Sequence, residues 1–309
     1  MKLRYRILGN IFHGAARLPF GMLYAIADML FFIIYYIVRY RRKVVDSNLA
    51  ESFPGAPEEE RRKIARQFYR NFADYIVETL KLAHVTDDEM RSRMVFEGTD
   101  IIDRLFDEGK SIVCYFSHTF NWEWAPSITL WTRHKPETDA VFAQVYRPLR
   151  NEFFDRYFLT LRSRFGSRSF PKSSVLRDLI RLRRDNKLSI TGFMSDQKPS
   201  HGDLIHVVKF LNHPTAIITG TEQLARRMEM AAIYWDTEKL GRGRYRITTR
   251  LLTENAALLP PMELTDAYAA MLETTIRRNP SIWLWTHKRW KYPVTFADDN
   301  SVHGKSASK

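Results

Sequence analysis

A chain of 309 residues and 36.5 kDa is long enough to bury a substantial core, as one large α/β domain or two small ones. Its 45% hydrophobic composition excludes an intrinsically disordered protein, and a single cysteine, Cys114, excludes an intramolecular disulfide framework and suits a reducing compartment. A formal net charge of +13 and a pI near 9.8 call for an acidic partner: nucleic acid, anionic lipid or an acidic carrier protein.

Residues 18–38 are apolar and aromatic, carry one charge at Asp28, and are long enough to cross a bilayer as a helix. They do not read as a signal peptide. The apolar part is too long, and Arg39, Arg41, Arg42 and Lys43 follow where a small-residue cleavage site would lie. Lys2, Arg4 and Arg6 precede the segment, but the denser cluster follows it and places the rest of the chain on the cytoplasmic side. Pro19, Gly21 and Asp28 also suit a bent helix lying in one leaflet, and either geometry anchors the protein. After the turn at residues 54–57, Glu58, Glu59 and Glu60 open a helix whose apolar residues Ile64, Phe68, Phe72, Ile76 and Leu80 recur every four positions, the pattern of a core-facing face.

A helix at about 99–108 and a Glu108-Gly109-Lys110 turn lead into the β-branched and aromatic run 111–116, a short buried strand. His118 follows it, and Glu123 stands five positions on, in the second turn of a helix expected over 120–133. On one continuous helix that spacing would separate the two side chains by about 140°. His118 is therefore expected in the non-helical lead-in, its ring bent toward Glu123. Such a pair suits general-base chemistry: a neutral imidazole takes a proton from a hydroxyl while a carboxylate fixes its tautomer. By itself H-x4-E more often marks a capping histidine and a surface glutamate. A thiol nucleophile at Cys114 is disfavoured by its mid-strand position.

A second strand, 140–146, is ended by Pro148 and places Arg147 at a strand's carboxyl edge. The stretch 147–187 is strongly basic, read either as two solvated helix faces or as a field that steers an acidic partner. A third strand, 188–193, meets a polar loop that contains Asp196. Strands ending in polar loops and separated by helices predict a largely parallel, doubly covered sheet with its site at the carboxyl ends, where His118, Arg147 and Asp196 fall. The last third predicts a helix over 216–228, strands near 231–236 and 244–251, and a helix over 264–278. It closes on the aromatic and basic run Trp283-Leu284-Trp285-Thr286-His287-Lys288-Arg289-Trp290-Lys291, a pattern that suits stacking on bases, an interface with lipid or packing at the sheet edge, with core packing the default for its tryptophans. The tail from Asp298 is polar. No zinc-ligand cluster and no nucleic-acid-binding module is recognisable.

Taken in order, the apolar N-terminal segment, His118 to Glu123, Tyr146-Arg147-Pro148-Leu149-Arg150-Asn151, Asp196-Gln197, Gly220-Thr221-Glu222 and the 283–291 run resemble the late acyltransferases of lipid A assembly. The resemblance implies a glycerolipid-acyltransferase-like α/β fold, divided here into an anchor (1–43), an acyltransferase domain (44–297) and a tail (298–309). It implies an enzyme of the bacterial inner membrane, its catalytic domain cytoplasmic. That enzyme moves a fatty acyl chain from acyl carrier protein to a hydroxyl of a lipid A precursor, a glycolipid acceptor, without a metal, a cofactor or nucleic acid; the same chemistry on an aminolipid, a lysophospholipid or a phosphoinositol mannoside is the alternative. His118 would be its general base and Glu123 the orienting carboxylate, with Arg147 and Asp196 contacting substrate. Phe116, Phe120, Trp122 and Trp124 are expected to line an apolar slot for the chain.

Overall fold

The structure, a computed structural model, describes residues 3–296; the polar tail lies outside the described residues. Helices α1 (Leu3–Arg17), α2 (Phe20–Phe32, extended by a π turn over Ile33–Ile37), α3 (Arg42–Ser52), α4 (Glu58–Lys81) and α5 (Asp87–Arg93) precede β1 (Met94–Glu97), α6 (Thr99–Asp107) and β2 (Ile112–Phe116). There follow a 3-10 segment (Trp122–Leu130), β3 (Ala140–Tyr146), α7 (Glu152–Arg162), β4 (Arg168–Pro171), α8 (Val175–Arg184) and β5 (Leu188–Met194). The hairpin β6 (Val207–Phe210) and β7 (His213–Ala216), α9 (Gly220–Arg227), β8 (Ala231–Gly241), β9 (Arg244–Thr253) and α10 (Glu263–Arg278) complete the chain.

Seven strands form one sheet in the order β1-β9-β8-β2-β5-β3-β4, and every pairing except β8 with β9 is parallel. The expected mostly parallel α/β sheet is therefore present. Its central strand β2 is buried along its whole length, which is why residues 112–116 are apolar without alternation. Right-handed crossovers assign the layers. The connections β1 to β2, β2 to β3 and β3 to β4 all run the same way across the sheet, so α6, the 3-10 segment and α7 cover one face. The returns from β4 to β5 and from β5 to β8 put α8 and α9 on the other, where α10 joins them with Tyr268 stacked on Tyr115.

Helices α1 and α2 lie on the first face, alongside α4 and α7, with Phe12 of α1 against Tyr157 and Phe20 of α2 against Trp124 of the 3-10 segment. From α2 and its π turn, Leu23, Ala27, Phe31 and Tyr35 enter the core, while Met22, Met29, Phe32 and Ile37 point outward. The window Phe20–Ile37 has a mean hydropathy of 1.9, long and apolar enough to cross a membrane, yet 28% of it is buried inside the protein. One side of this helix thus packs on the domain and the other offers an uncovered apolar surface. Asp28, the single charge of the segment, pairs with Arg242 at the β8–β9 turn. On α4, Phe68 is buried as expected, but Ala65, Tyr69, Ala73 and Val77 are buried too. Ile64, Phe72, Ile76 and Leu80 of the expected stripe are only half-buried, so the buried face is centred about one residue further along, where α2 packs against α4 from one side and the domain core from another.

Residues 120–133, expected as an α-helix, instead hold the shorter 3-10 segment. The Asn121 side chain accepts the Glu123 amide at its start, and Pro126 withholds a backbone donor from its middle. The helix expected from 216 begins at Gly220, because residues 213–216 pair as β7.

Candidate active site

His118 lies in the loop just past β2, as its place in the sequence predicted, and the next strand over, β5, ends at the loop that carries Asp196. Adjacent parallel strands bring those two loops together. His118 Nδ1 stands 2.8 Å from Asp196 Oδ1, and the His118 backbone amide donates to Oδ2 at 3.0 Å. Oδ2 also accepts from the indole Nε1 of Trp283 at 2.8 Å. Burial works to raise the pKa of the Asp196 carboxyl, but the positive field and hydrogen bonds of His118, with the Trp283 bond, outweigh it and hold the group below its ordinary range. With an ionised acceptor at Nδ1, the ring carries its proton there and leaves a lone pair on Nε2. Nε2 is 3.2 Å from the side-chain amide of Gln197, which donates to it.

Glu123 is not the carboxylate that meets this ring. Its Oε1 and Oε2 bind Arg162 of α7 as a bidentate pair at 2.7 and 2.8 Å, and Oε1 accepts from Trp122 Nε1 at 3.1 Å. The expected His118–Glu123 hydrogen bond is therefore absent, for a geometric reason: the 3-10 turn directs Glu123 inward beneath α7, while the β5 loop already occupies Nδ1. Glu123 reaches His118 only through Trp122, whose ring stands edge-on to the imidazole with centroids 5.2 Å apart. Burial lowers the pKa of the Arg162 guanidinium, but Glu123 overrides it, so the pair stays charged.

Arg147 follows β3 directly and is exposed, without an ion pair among the described residues. β5 lies between β3 and β2, so the two strand ends that carry Arg147 and His118 are roughly 10 Å apart. That places Arg147 on the same edge but beyond direct contact with the ring.

Three supports escaped sequence reasoning. Trp283 belongs to a run read as core packing, although its indole N–H orients Asp196. His287 from the same run accepts the Lys198 amide through Nε2 at 3.2 Å and so pins the Asp196 loop; burial pushes its pKa down to about 4. Glu78 of α4 is fully buried and accepts from Asn121 Nδ2 and the Tyr245 hydroxyl, both at 3.0 Å, fixing the start of the 3-10 segment. Burial holds its pKa above the ordinary value.

Beneath the loop after β2, Phe116, Ala125, Pro126, Ile128, Phe142, Ile190 and Trp235 line a narrow apolar pocket with a cavity volume of about 30 Å³. Of the four aromatics expected to line a slot, only Phe116 does so. Phe120 stacks on Phe68, Trp122 faces His118, and Trp124 packs against Phe20 and Tyr245. Cys114 is buried within β2, and burial raises its thiol well above the usual range, which leaves no thiolate for nucleophilic chemistry.

No curated protein sequence gives a significant match to the chain. A family model described as bacterial lipid A biosynthesis acyltransferase matches residues 2–292, nearly the whole length, and the chain belongs to that family.

Proposed function

Starting from that membership, which makes the protein an acyltransferase of lipid A biosynthesis with a lipid acceptor, we propose that it moves a fatty acyl chain from acyl carrier protein to a hydroxyl of a lipid A precursor, with His118 as general base. The observation that carries this reading is the 2.8 Å bond from His118 Nδ1 to Asp196, which turns the lone pair of Nε2 outward. Nε2 takes the proton of the acceptor hydroxyl as the alkoxide oxygen attacks the thioester carbonyl. The tetrahedral intermediate then expels the thiolate, which receives the proton back from the imidazolium. An ester bond forms, a thioester bond breaks, and no covalent enzyme intermediate is needed.

The remaining residues take supporting roles. Asp196 orients the imidazole and stabilises its cation. The Gln197 amide marks the place of the acceptor hydroxyl, and swings to donate to the developing oxyanion once the substrate occupies it. Glu123 acts at one remove, holding Trp122 against the imidazole and Arg162 in place. Arg147 takes a phosphate of the acceptor at the rim. The uncovered apolar side of α2, with exposed Arg39 and Arg41 beyond it, seats the enzyme on the inner membrane with its catalytic residues cytoplasmic.

The test is a mass-spectrometric assay of detergent-solubilised protein with acyl carrier protein thioesters and three acceptors: a tetra-acylated lipid A precursor, a lysophospholipid and an aminolipid. One added acyl mass on the lipid A precursor alone is expected. Acylation of another lipid in its place would keep the chemistry and replace the acceptor.

A further inference from the structure

The basic stretch between Arg147 and Lys187 separates into two populations once folded. Arg162 is tied to Glu123, Arg164 to Asp87, Arg168 to Glu137 and Arg183 to Glu229. Arg177 and Arg181, one turn apart on α8, form no ion pair among the described residues, and Arg184 pairs only with its exposed neighbour Asp185. Val175, Leu179 and Leu182 bury the inner side of α8, so Arg177, Arg181 and Arg184 project together into solvent. Among them Ile180 is 46% exposed, an apolar knob inside a positive stripe.

We propose that this outward face of α8 is the docking surface for the acidic protein that carries the acyl thioester. The inference rests on the carrier-protein reading above and specifies where that partner binds. Charge and position favour such a partner. A stripe in which Arg177 and Arg181 have no ion pair among the described residues, set around one apolar side chain, complements an acidic helical surface with an apolar contact at its centre. An anionic membrane is the competing source of negative charge, but α8 covers the face of the sheet opposite the one that carries α1 and α2. A protein seated on the apolar side of α2 therefore leaves α8 in the aqueous phase.

The reach is also suitable. The first turn of α8 follows β4 at the carboxyl edge of the sheet. From β4 the edge passes β3 and β5 to β2, three strand spacings or roughly 14 Å to the loop of His118. A phosphopantetheine arm anchored on a partner at α8 spans that distance along the strand ends, past Asp196. The acceptor then approaches from the membrane side and the donor from the other, so the two substrates meet at His118 without crossing.

Kinetics of the full-length enzyme with two donors that bear the same acyl chain test this: the carrier-protein thioester and the free pantetheine thioester. The double reversal Arg177→Glu/Arg181→Glu is expected to raise the KM for the carrier-borne donor about tenfold at low salt, with the gap closing as salt rises. Its kcat and its KM for the pantetheine donor stay within twofold of the parent. Arg66→Glu/Arg156→Glu, exposed positions on α4 and α7 with the same change in net charge, leaves both donors unaffected. An unchanged carrier KM in the α8 variant would reduce the stripe to a solvated face, and an equal rise with both donors would mean the substitution disturbs the site and not docking. A parent enzyme that uses the pantetheine thioester as well as the carrier-borne one would remove the donor reading, and the surface with it.

Discussion

The carboxylate at His118 Nδ1 is Asp196, and substitution by the matching amide separates its role from that of Glu123. In Asp196→Asn the side chain has one oxygen where it had two. The Oδ2 position accepts two donors, the His118 amide and Trp283 Nε1, whereas Oδ1 meets only Nδ1. The amide oxygen therefore turns to the pair, and its NH2 faces Nδ1. The imidazole must then accept at Nδ1 and carry its proton on Nε2, the wrong tautomer for a base. Loss of general-base catalysis lowers kcat by about 10² to 10⁴, or about 3 to 5 kcal/mol in the barrier, with KM little changed. Glu123→Gln acts elsewhere. It breaks a bidentate pair in which the carboxylate is 2% exposed and Arg162 19% exposed, and it leaves the guanidinium without a counter-charge. That costs about 3 kcal/mol of stability or more and lowers Tm by several degrees, while Trp122 keeps its acceptor and the rate falls less than Asp196→Asn makes it fall. Steady-state kinetics and thermal melts on both variants decide the matter. An Asp196→Asn enzyme with near-parental kcat, beside an inactive but stable Glu123→Gln enzyme, would refute the reasoning and restore Glu123 as the orienting group.

Three further outcomes follow from the structure. Because burial depresses the His287 pKa to about 4, the neutral ring contributes stability that is present above its unfolded value of about 6.5 and lost as pH falls toward 4. The Tm of the parent should therefore drop more steeply over that window than the Tm of His287→Asn, and parallel curves would count against the buried neutral histidine. Charging the uncovered side of α2 with Phe32→Glu/Ile37→Glu should release folded protein from vesicles in a flotation assay, whereas Leu23→Glu on the inner side should unfold it; retention of the outward variant on vesicles would mean that another surface binds lipid. Trp283→Phe keeps the aromatic volume but deletes the donor to Asp196, and should lower kcat about tenfold with the Tm shifted by only a few degrees. Unchanged kcat would show that the indole N–H does not position the carboxylate.

Much of the sheet was legible because its strands are local and strongly patterned. Residues 112–116, 140–146 and 188–193 announce themselves as apolar runs bounded by turn residues, and the loops after them carry His118, Arg147 and Asp196 to one edge. The partnership inside that edge was not legible. H-x4-E pairs two residues close in sequence, but the carboxylate that meets the ring is 78 positions away, brought in by the parallel pairing of β2 with β5. Local periodicity contains no information about which strands become neighbours. The charge run shows the same limit, since only tertiary contacts distinguish Arg162, paired with buried Glu123, from Arg181 on α8, which has no ion pair among the described residues. The 283–291 run looked like packing because tryptophan usually is packing. Its Trp283 and His287 each use one ring nitrogen to hold the loop of Asp196, a role visible only when that loop lies beside them. The strands β1 and β4 were missed because four residues each leave almost no pattern to read.

The most direct test of the account is the initial rate of His118→Ala on saturating acyl carrier protein thioester and lipid A precursor, with the fold checked by its melting curve and its binding to vesicles. If His118 is the general base, the variant melts like the parent, binds the same membranes and transfers acyl chains at least about 10³-fold more slowly. A folded, membrane-bound His118→Ala protein that turns over within tenfold of the parent would contradict the mechanism at its centre.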